Sequence, residues 1–131
     1  MNEAETRAEL IDPKLQQDGW VTADNIRVHR EHPITDGEIK TTGIRTGKLK
    51  ADYVLSYKNR KLAVIEAKSD EVEVGEGVAQ AKLYSQKLGL ETCYSTNGKQ
   101  IYQICLKTGK EELVSNYLSP EDLYKKTFET Q

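Results

Sequence analysis

The sequence predicts an α/β domain in which a central mixed β-sheet is flanked by helices. Three observations support this fold class: two groups of apolar runs of strand length, a helical pattern between these groups, and further helical patterns near both ends of the chain. A strand, a helix and a second strand in succession form a parallel crossover, whereas the short polar turns inside each group predict antiparallel hairpins. The sheet should therefore be mixed.

Length and composition predict one soluble domain. The chain has 131 residues, 31% of them charged, and no run of eighteen apolar residues that could cross a membrane. Its N-terminus lacks the apolar segment of a secretion signal, and Cys93 and Cys105 stand in apolar runs without the spacing of metal ligands. We therefore expect reduced core cysteines, no membrane association and a cytoplasmic location. The chain stops just after its last helix, as a domain cut from a longer polypeptide would.

The N-terminal part of the chain predicts a helix and an edge strand. Apolar residues recur at helical spacing over residues 3–18, where Pro13 should kink the helix or restart it. Residues 26–34 alternate imperfectly and predict an edge strand. Residues 35–48 are rich in glycine and threonine and predict a loop, either without regular structure or with one short strand.

The rest of the chain predicts two pairs of strands and two helices. The strands are expected at residues 51–57, 62–68, 91–96 and 100–106. Polar turns join the strands within each pair, around Lys58–Lys61 in the first pair and at Asn97-Gly98 in the second. Helical spacing predicts a helix over 77–88 between the pairs, and Ser119-Pro120 should begin a last helix over 119–129.

Two neighbouring predicted strands carry polar residues that do not belong in a core. Asp52 begins the first strand, and Glu66 and Lys68 close the second. Positions two apart share a face of a strand, so Glu66 and Lys68 should point the same way. If the strands pair as a hairpin, Asp52 approaches Glu66 at the strand ends. Two carboxylates beside an ammonium group suit a hard divalent cation and phosphodiester hydrolysis.

A simpler interpretation is a structural ion pair between Glu66 and either Lys68 or Lys50, with Asp52 facing water at the start of its strand. However, a crossover strand is buried on both faces, and a carboxylate there is costly unless it is paired or bound to metal. With Asp52 on the preceding strand, we favour a metal site over the ion pair.

Further polar residues on two helices could take part. Gln80 and Tyr84 are four residues apart on the helix after the acidic pair and share a face. By geometry alone they are a surface glutamine and a half-buried tyrosine, but their amide and phenol could also hold a phosphate or a water. On the first helix, Glu5, Glu9 and Asp12 flank the apolar stripe, and the sequence does not decide which of them could reach a metal.

Two other groups of residues give weaker indications. His29 and His32 are three apart on the predicted edge strand, should face opposite ways and make a poor metal pair. The net charge is −2, so no overall basic charge indicates nucleic acid. Basic residues nevertheless crowd the middle third, where they form either a solvated face or a local contact to a DNA backbone; we name Lys40, Arg45, Lys48 and Lys50 for this contact.

Taken in order, these motifs resemble the PD-(D/E)xK nuclease superfamily. Asp52 matches its first acid, Glu66-Ala67-Lys68 its ExK element, and Gln80 with Tyr84 the QxxxY extension. Ala51 stands where the superfamily name has proline, a position that donates no ligand. Over nearly the whole chain the sequence is similar to the N-terminal nuclease domain in the R (restriction) subunit of type I restriction enzymes; further matching motifs are Thr6-Arg7, Leu10-Ile11-Asp12, Gly19-Trp20 and Thr96-Asn97-Gly98.

The resemblance implies a restriction-endonuclease-like core of order α-β-β-β-α-β and Mg²⁺-dependent cleavage of double-stranded DNA, with Mn²⁺ able to substitute. Asp52 and Glu66 would hold the metal, with the Ala67 carbonyl as a further ligand. Lys68 would position the attacking water and stabilise charge on the phosphate. An acid on the first helix often completes such sites, and we favour Glu5 for this role, with Glu9 behind it.

The resemblance also implies partners. They are the modification and specificity subunits of a type I complex, which supply sequence specificity, and the C-terminal helicase/translocase domains of the same subunit, which use ATP. This chain has no Walker motif, so we do not expect ATP to bind to it. We thus expect residues 1–131 to be a single nuclease domain of a type I site-specific deoxyribonuclease. The alternatives are a stand-alone nuclease of the superfamily and a nuclease-like domain that only binds DNA or protein.

Overall fold

A six-stranded mixed sheet forms the centre of the protein in a computed structural model that describes residues 1–34 and 49–129. The strands lie in the sheet in chain order. They are β1 (Ile26–Pro33), β2 (Lys50–Tyr57), β3 (Arg60–Ala67), β4 (Thr92–Thr96), β5 (Ile101–Cys105) and β6 (Glu111–Val114). Among these described strands, β3 and β4 pair in parallel and the other neighbours pair antiparallel. The predicted mixed sheet with one crossover is confirmed.

Helices cover both faces of this sheet. They are α1 (Glu3–Thr6), α2 (Asp12–Gln17), α3 (Val78–Leu88) and α4 (Pro120–Phe128). A π-helical turn, Arg7–Ile11, joins α1 to α2, and the backbone N–H of Asp12 donates to the Arg7 carbonyl. Pro13 follows in the first turn of α2 and, because it has no backbone N–H, cannot donate to the preceding helical turn. The expected disturbance at Pro13 therefore takes the form of a π-turn that ends just before it.

Two apolar clusters hold the helices to the sheet. On one face, Trp20 and Leu123 pack with Tyr53 and Ile65 of the sheet, and these side chains are at most 2% exposed. On the other face, α3 packs on β3 and β4 through a cluster that includes Val64, Ala81, Tyr84 and Cys93. Full burial of each large apolar side chain stabilises a fold by roughly 1.5–3 kcal/mol. The predicted core cysteines are confirmed, since Cys93 and Cys105 are buried and free.

The predicted hairpins form where expected. The β2–β3 turn places Lys58 and Asn59 at φ values of 54° and 65°, the left-handed conformation of a two-residue hairpin turn. In the β4–β5 turn, Gly98 has a φ of 86° and lies against the N-terminal helical segment, because a Cβ built on it would come within 2.9 Å of Leu10 and Thr6 side-chain atoms. This glycine thus serves both the turn and a close approach between elements.

Two features differ from the sequence prediction. The short edge strand β6 was not predicted, because the Glu-Glu-Leu-Val sequence of residues 111–114 is too short and too polar at its start to show a clear alternation. The prediction that His29 and His32 face opposite ways is wrong, since their ring centroids lie 5.4 Å apart. Glu31 between them has a φ of 51°, which breaks the alternation of the strand.

Candidate active site

Asp52 and Glu66 come together where β2 and β3 separate. Tyr53 and Ile65 are the outermost residues of the two strands that pair at this end. Beyond them, the backbone N–H of Asp52 donates to Glu66 Oε2 at 2.9 Å, and the backbone N–H of Ala67 donates to Asp52 Oδ2 at 2.7 Å. Each carboxylate therefore takes the place of a backbone carbonyl as the acceptor for an N–H of the opposite strand. This hydrogen bond sets the orientation of the carboxylate.

Simultaneous ionisation of Asp52 and Glu66 is unfavourable, because the pKa values of both carboxyl groups are raised. Glu66 is only 2% exposed, and burial, followed by the charge of Asp52, raises its pKa to about 8. Burial also raises the pKa of Asp52, against hydrogen bonding from Ala67 and the charge of Arg7. A bound cation would remove this repulsion, because it favours the ionised form of both groups.

Lys68 lies beside Glu66 under the start of α3. A Cβ built on Gly77, the residue before α3, would lie 2.8 Å from Ser95 Oγ, 3.3 Å from Glu66 Cβ and 3.6 Å from Lys68 Cε. Glu66 and Lys68 are therefore neighbours on one face, as the alternation predicts. Within residues 1–34 and 49–129, Glu66 has no ion-pair partner within 4.0 Å, so neither Lys68 nor Lys50 forms the structural ion pair considered as the simpler interpretation.

Arg7 is the cation that contacts the acidic pair directly. Its guanidinium group forms an ion pair with Asp52 Oδ1 and a second with Glu31 Oε2 at 2.6 Å. A longer contact of 3.5 Å joins it to Glu3, one turn earlier in α1. Sequence reasoning assigned no role to Arg7, because Asp52 is 45 residues away and only the fold brings them together.

Gln80 and Tyr84 form a contact on α3, as their spacing predicts. Gln80 Nε2 donates to the Tyr84 hydroxyl at 2.9 Å. Tyr84 is buried, and its pKa is raised mainly by burial, with smaller contributions from the charges of Glu66 and Asp52. The phenol thus lies within electrostatic reach of the acidic pair, while any role in catalysis stays a prediction.

The three acids of the N-terminal helices that the sequence offers for the metal site, Glu5, Glu9 and Asp12, point elsewhere. Glu5 Oε1 accepts a hydrogen bond from the Asn2 backbone in a capping box, and Asp12 accepts from the Tyr53 hydroxyl and from Arg30. Glu9 is exposed and lines a surface groove beside β5 and β6. Among the described residues, no group of three or more His, Cys, Asp or Glu side chains is placed to hold a metal ion. The structure thus does not bring any of these acids to Asp52 and Glu66.

The predicted DNA contacts can be located only in part. Lys50 is exposed at the first position of β2, two residues before Asp52. The other three residues of that prediction, Lys40, Arg45 and Lys48, lie outside the described residues.

The donor set nevertheless fits Mg²⁺. This ion is usually held by one or two carboxylates together with water and substrate phosphate oxygens, and a cage of three acids is not required. Asp52 and Glu66 would supply the two carboxylates, and Ala67, whose carbonyl is the further candidate ligand, directly follows Glu66 in the chain. Their raised pKa values are the electrostatic condition that a divalent cation would relieve.

Comparison with known proteins places the chain in a family. A family model described as "Type I restriction enzyme EcoKI endonuclease subunit second domain" matches residues 22–120. The chain belongs to this family of type I restriction enzyme endonuclease subunits. The match begins after α2, so it contains the strands with Asp52 and Glu66 but not the helical segment with Arg7. The resemblance to type I restriction enzyme R subunits seen in the sequence is thus confirmed.

Two relatives agree with this assignment. The chain is 34% identical over 103 residues to the type I restriction enzyme EcoAI endonuclease subunit of Escherichia coli, a match that spans 75% of this chain and 12% of that protein. It is 36% identical, with a TM-score of 0.84, to a solved fragment assigned to the HsdR subunit of a type I restriction enzyme from Vibrio vulnificus YJ016. The fragment covers 95% of this chain, which spans 25% of the fragment. The predicted fold class is confirmed.

The helices of the described residues show no membrane span. None of them combines the length and the apolar character that crossing a bilayer requires.

Proposed function

We propose that this domain is the endonuclease module of a type I restriction enzyme R subunit and hydrolyses phosphodiester bonds of double-stranded DNA in a Mg²⁺-dependent reaction. The observation that carries this proposal is the pairing of buried Glu66 with half-buried Asp52 at the open end of β2 and β3, with Lys68 on the same face as Glu66. The relatives add support, because their names describe endonuclease subunits.

The site residues have distinct roles in this proposal. Asp52 and Glu66 hold the cation, with the Ala67 carbonyl as a further ligand. The chemistry that Mg²⁺ supplies when bound is polarisation of the phosphate and a lowered pKa of a bound water. Lys68 orients the attacking water and offsets negative charge that develops on the phosphate. Gln80 and Tyr84 hold the substrate phosphate from α3.

Sequence specificity and delivery come from other polypeptides or domains. We propose that the modification and specificity subunits choose the DNA and that an ATP-driven helicase/translocase in the same R subunit brings it to this domain, in the cytoplasm. The domain itself cleaves without reading sequence, since the proposed contacts are to phosphates rather than to base edges. We favour this role over a stand-alone nuclease because the curated relative is about eight times longer than the matched segment, which is 12% of its length.

The test is DNA cleavage by the whole R subunit, assembled with its modification and specificity subunits, with wild-type Glu66 or with Glu66→Gln. We expect Glu66→Gln to lower the cleavage rate by about 10²-fold or more while ATP hydrolysis continues. Glu76→Gln, which changes an exposed glutamate in the turn before α3, is the matched control and should cleave normally. Cleavage by Glu66→Gln at the wild-type rate would leave the domain as a nuclease-like module that only binds DNA.

A further inference from the structure

Arg7 joins the acidic pair to two acids at the surface. Its side chain is 22% exposed, that of Asp52 is 15% exposed, and those of Glu31 and Glu3 are 52% and 48% exposed. The guanidinium carbon also lies 5.9 Å from the centroid of the Tyr53 ring. Arg7 therefore has partners on the solvent side that it can keep if it leaves Asp52.

The oxygens of the acidic pair are not equivalent. Asp52 Oδ2 and Glu66 Oε2 accept hydrogen bonds from the backbone of the opposite strand. Asp52 Oδ1 accepts from Arg7, while Glu66 Oε1 has no hydrogen-bond partner among the described residues. A cation that binds to both carboxylates through the oxygens not engaged by the backbone must therefore share Oδ1 with Arg7.

Simultaneous binding of Arg7 and a divalent cation to Asp52 Oδ1 is energetically unfavourable. A guanidinium group and a divalent cation repel each other, and the repulsion is stronger in a half-buried site than in water. The guanidinium group of Arg7 also lacks one hydrogen bond, because its Nε is buried and has no acceptor among the described residues. A buried donor without a partner is destabilising, so the contact with Asp52 is held against a penalty.

We propose that Arg7 is a counter-charge that competes with the divalent cation for Asp52 Oδ1 and moves toward Glu31 when the cation binds. This inference rests on the metal site of the proposed function. It makes Arg7 a positioning residue that sets the metal affinity of the site: Arg7 keeps Asp52 neutralised at low cation concentration and raises the concentration at which the site fills.

The test is Mn²⁺ binding to the 131-residue chain, measured by isothermal titration calorimetry. Arg7→Met keeps much of the apolar stem and removes the charge, and we expect it to tighten Mn²⁺ binding by about fivefold or more. Arg30→Met is the matched control, because Arg30 lies over the same Tyr53 ring at 5.3 Å but pairs with Asp12. We expect this control to keep the wild-type affinity.

A second measurement separates competition from a purely structural role. The melting temperature of Arg7→Met should fall below that of wild type in EDTA, and Mn²⁺ should raise it by more than it raises the wild-type value. If Arg7→Met does not fold, Arg7→Gln gives the same expectations. Unchanged or weaker Mn²⁺ binding in the Arg7 variant, or equal tightening in Arg30→Met, would overturn the proposal.

Failure of the metal site itself would look different. If the wild-type chain binds no Mn²⁺, or binds it equally well after Asp52→Asn, the metal site of the proposed function is wrong and the role of Arg7 falls with it. If wild-type binding depends on Asp52 but not on Arg7, only the competition is refuted.

Discussion

Asp52 and Glu66 each accept a hydrogen bond from the strand that carries the other. The bond from the Asp52 N–H to Glu66 is 2.9 Å long, and the bond from the Ala67 N–H to Asp52 is 2.7 Å long. These bonds fix the half-buried carboxylate of Asp52 beside the buried carboxylate of Glu66, where their charges repel. The fold thus maintains a pair of acids whose charges repel each other, and this relationship leads to the predictions below.

Asp52 should be required for binding of a divalent cation. Asp52→Asn keeps an oxygen that can accept from the Ala67 N–H but removes one of the two charges. We expect the variant to fold and to lose Mn²⁺ binding by calorimetry, because Mg²⁺ and Mn²⁺ sites depend on carboxylate charge. Asp24→Asn, in an exposed turn, is the control and should bind as wild type does. Equal Mn²⁺ affinities of Asp52→Asn and wild type would refute the ligand assignment.

The stability of the chain in EDTA should depend on pH through Glu66. Its pKa is raised from 4.5 to about 8 in the folded protein. Between these values the unfolded chain has lost the proton that the folded protein retains. The resulting loss of stability is therefore absent below about pH 4.5, grows as the pH rises towards 8 and levels off above it.

Glu66→Gln removes this penalty and can still accept the bond from the Asp52 N–H. We expect the variant to match wild type near pH 5 and to exceed its free energy of unfolding near pH 8 by on the order of 2 kcal/mol. Urea unfolding in EDTA at the two pH values measures the difference. Parallel pH profiles of the variant and wild type would show that Glu66 does not carry the raised pKa.

Lys68 should be needed for cleavage but not for metal binding. An ammonium group donates hydrogen bonds and charge but does not ligate cations. We therefore expect Lys68→Ala to keep the melting temperature and Mn²⁺ affinity within small changes and to lose most DNA cleavage in the assembled enzyme. Lys68→Arg keeps the charge and should recover part of the rate. Wild-type cleavage by Lys68→Ala would exclude the role proposed for the ammonium group.

Gly77 should be required for the packing of α3 against the site. An added Cβ would lie 2.8 Å from Ser95 Oγ and 3.3 Å from Glu66 Cβ, both too close for an ordinary contact. We expect Gly77→Ala to lower the free energy of unfolding by about 1–3 kcal/mol. Gly75→Ala, in the same turn, is a matched control because no atom lies within 4 Å of its added Cβ. Similar urea midpoints for the two variants would contradict the close packing at Gly77.

Features set by residues that are close in the sequence were predicted, whereas contacts between residues far apart in the sequence were not. The hairpin turn at Lys58–Asn59, the crossover through α3 and the approach of Asp52 to Glu66 follow from periodicity and turn chemistry within about forty residues, and the structure has all three. The ion pair of Arg7 with Asp52 joins separate elements across the fold, so no spacing rule could predict it. The positive φ of Glu31, which brings His29 toward His32, likewise has no sequence signal in a glutamate.

The isolated chain should cleave DNA poorly. Its net charge of −2 gives little long-range attraction to the duplex, and affinity for DNA depends mainly on neutralising phosphates. Lys50 and a few neighbouring basic residues would provide only weak, salt-sensitive contacts. A tethered translocase would supply the missing effective concentration. We therefore expect slow or no nicking of plasmid by the 131-residue chain with Mg²⁺ at physiological salt, with Glu66→Gln as the control for contaminating nucleases. Rapid cleavage that disappears in Glu66→Gln would instead favour a stand-alone nuclease, because the chain would then need no delivery to its substrate.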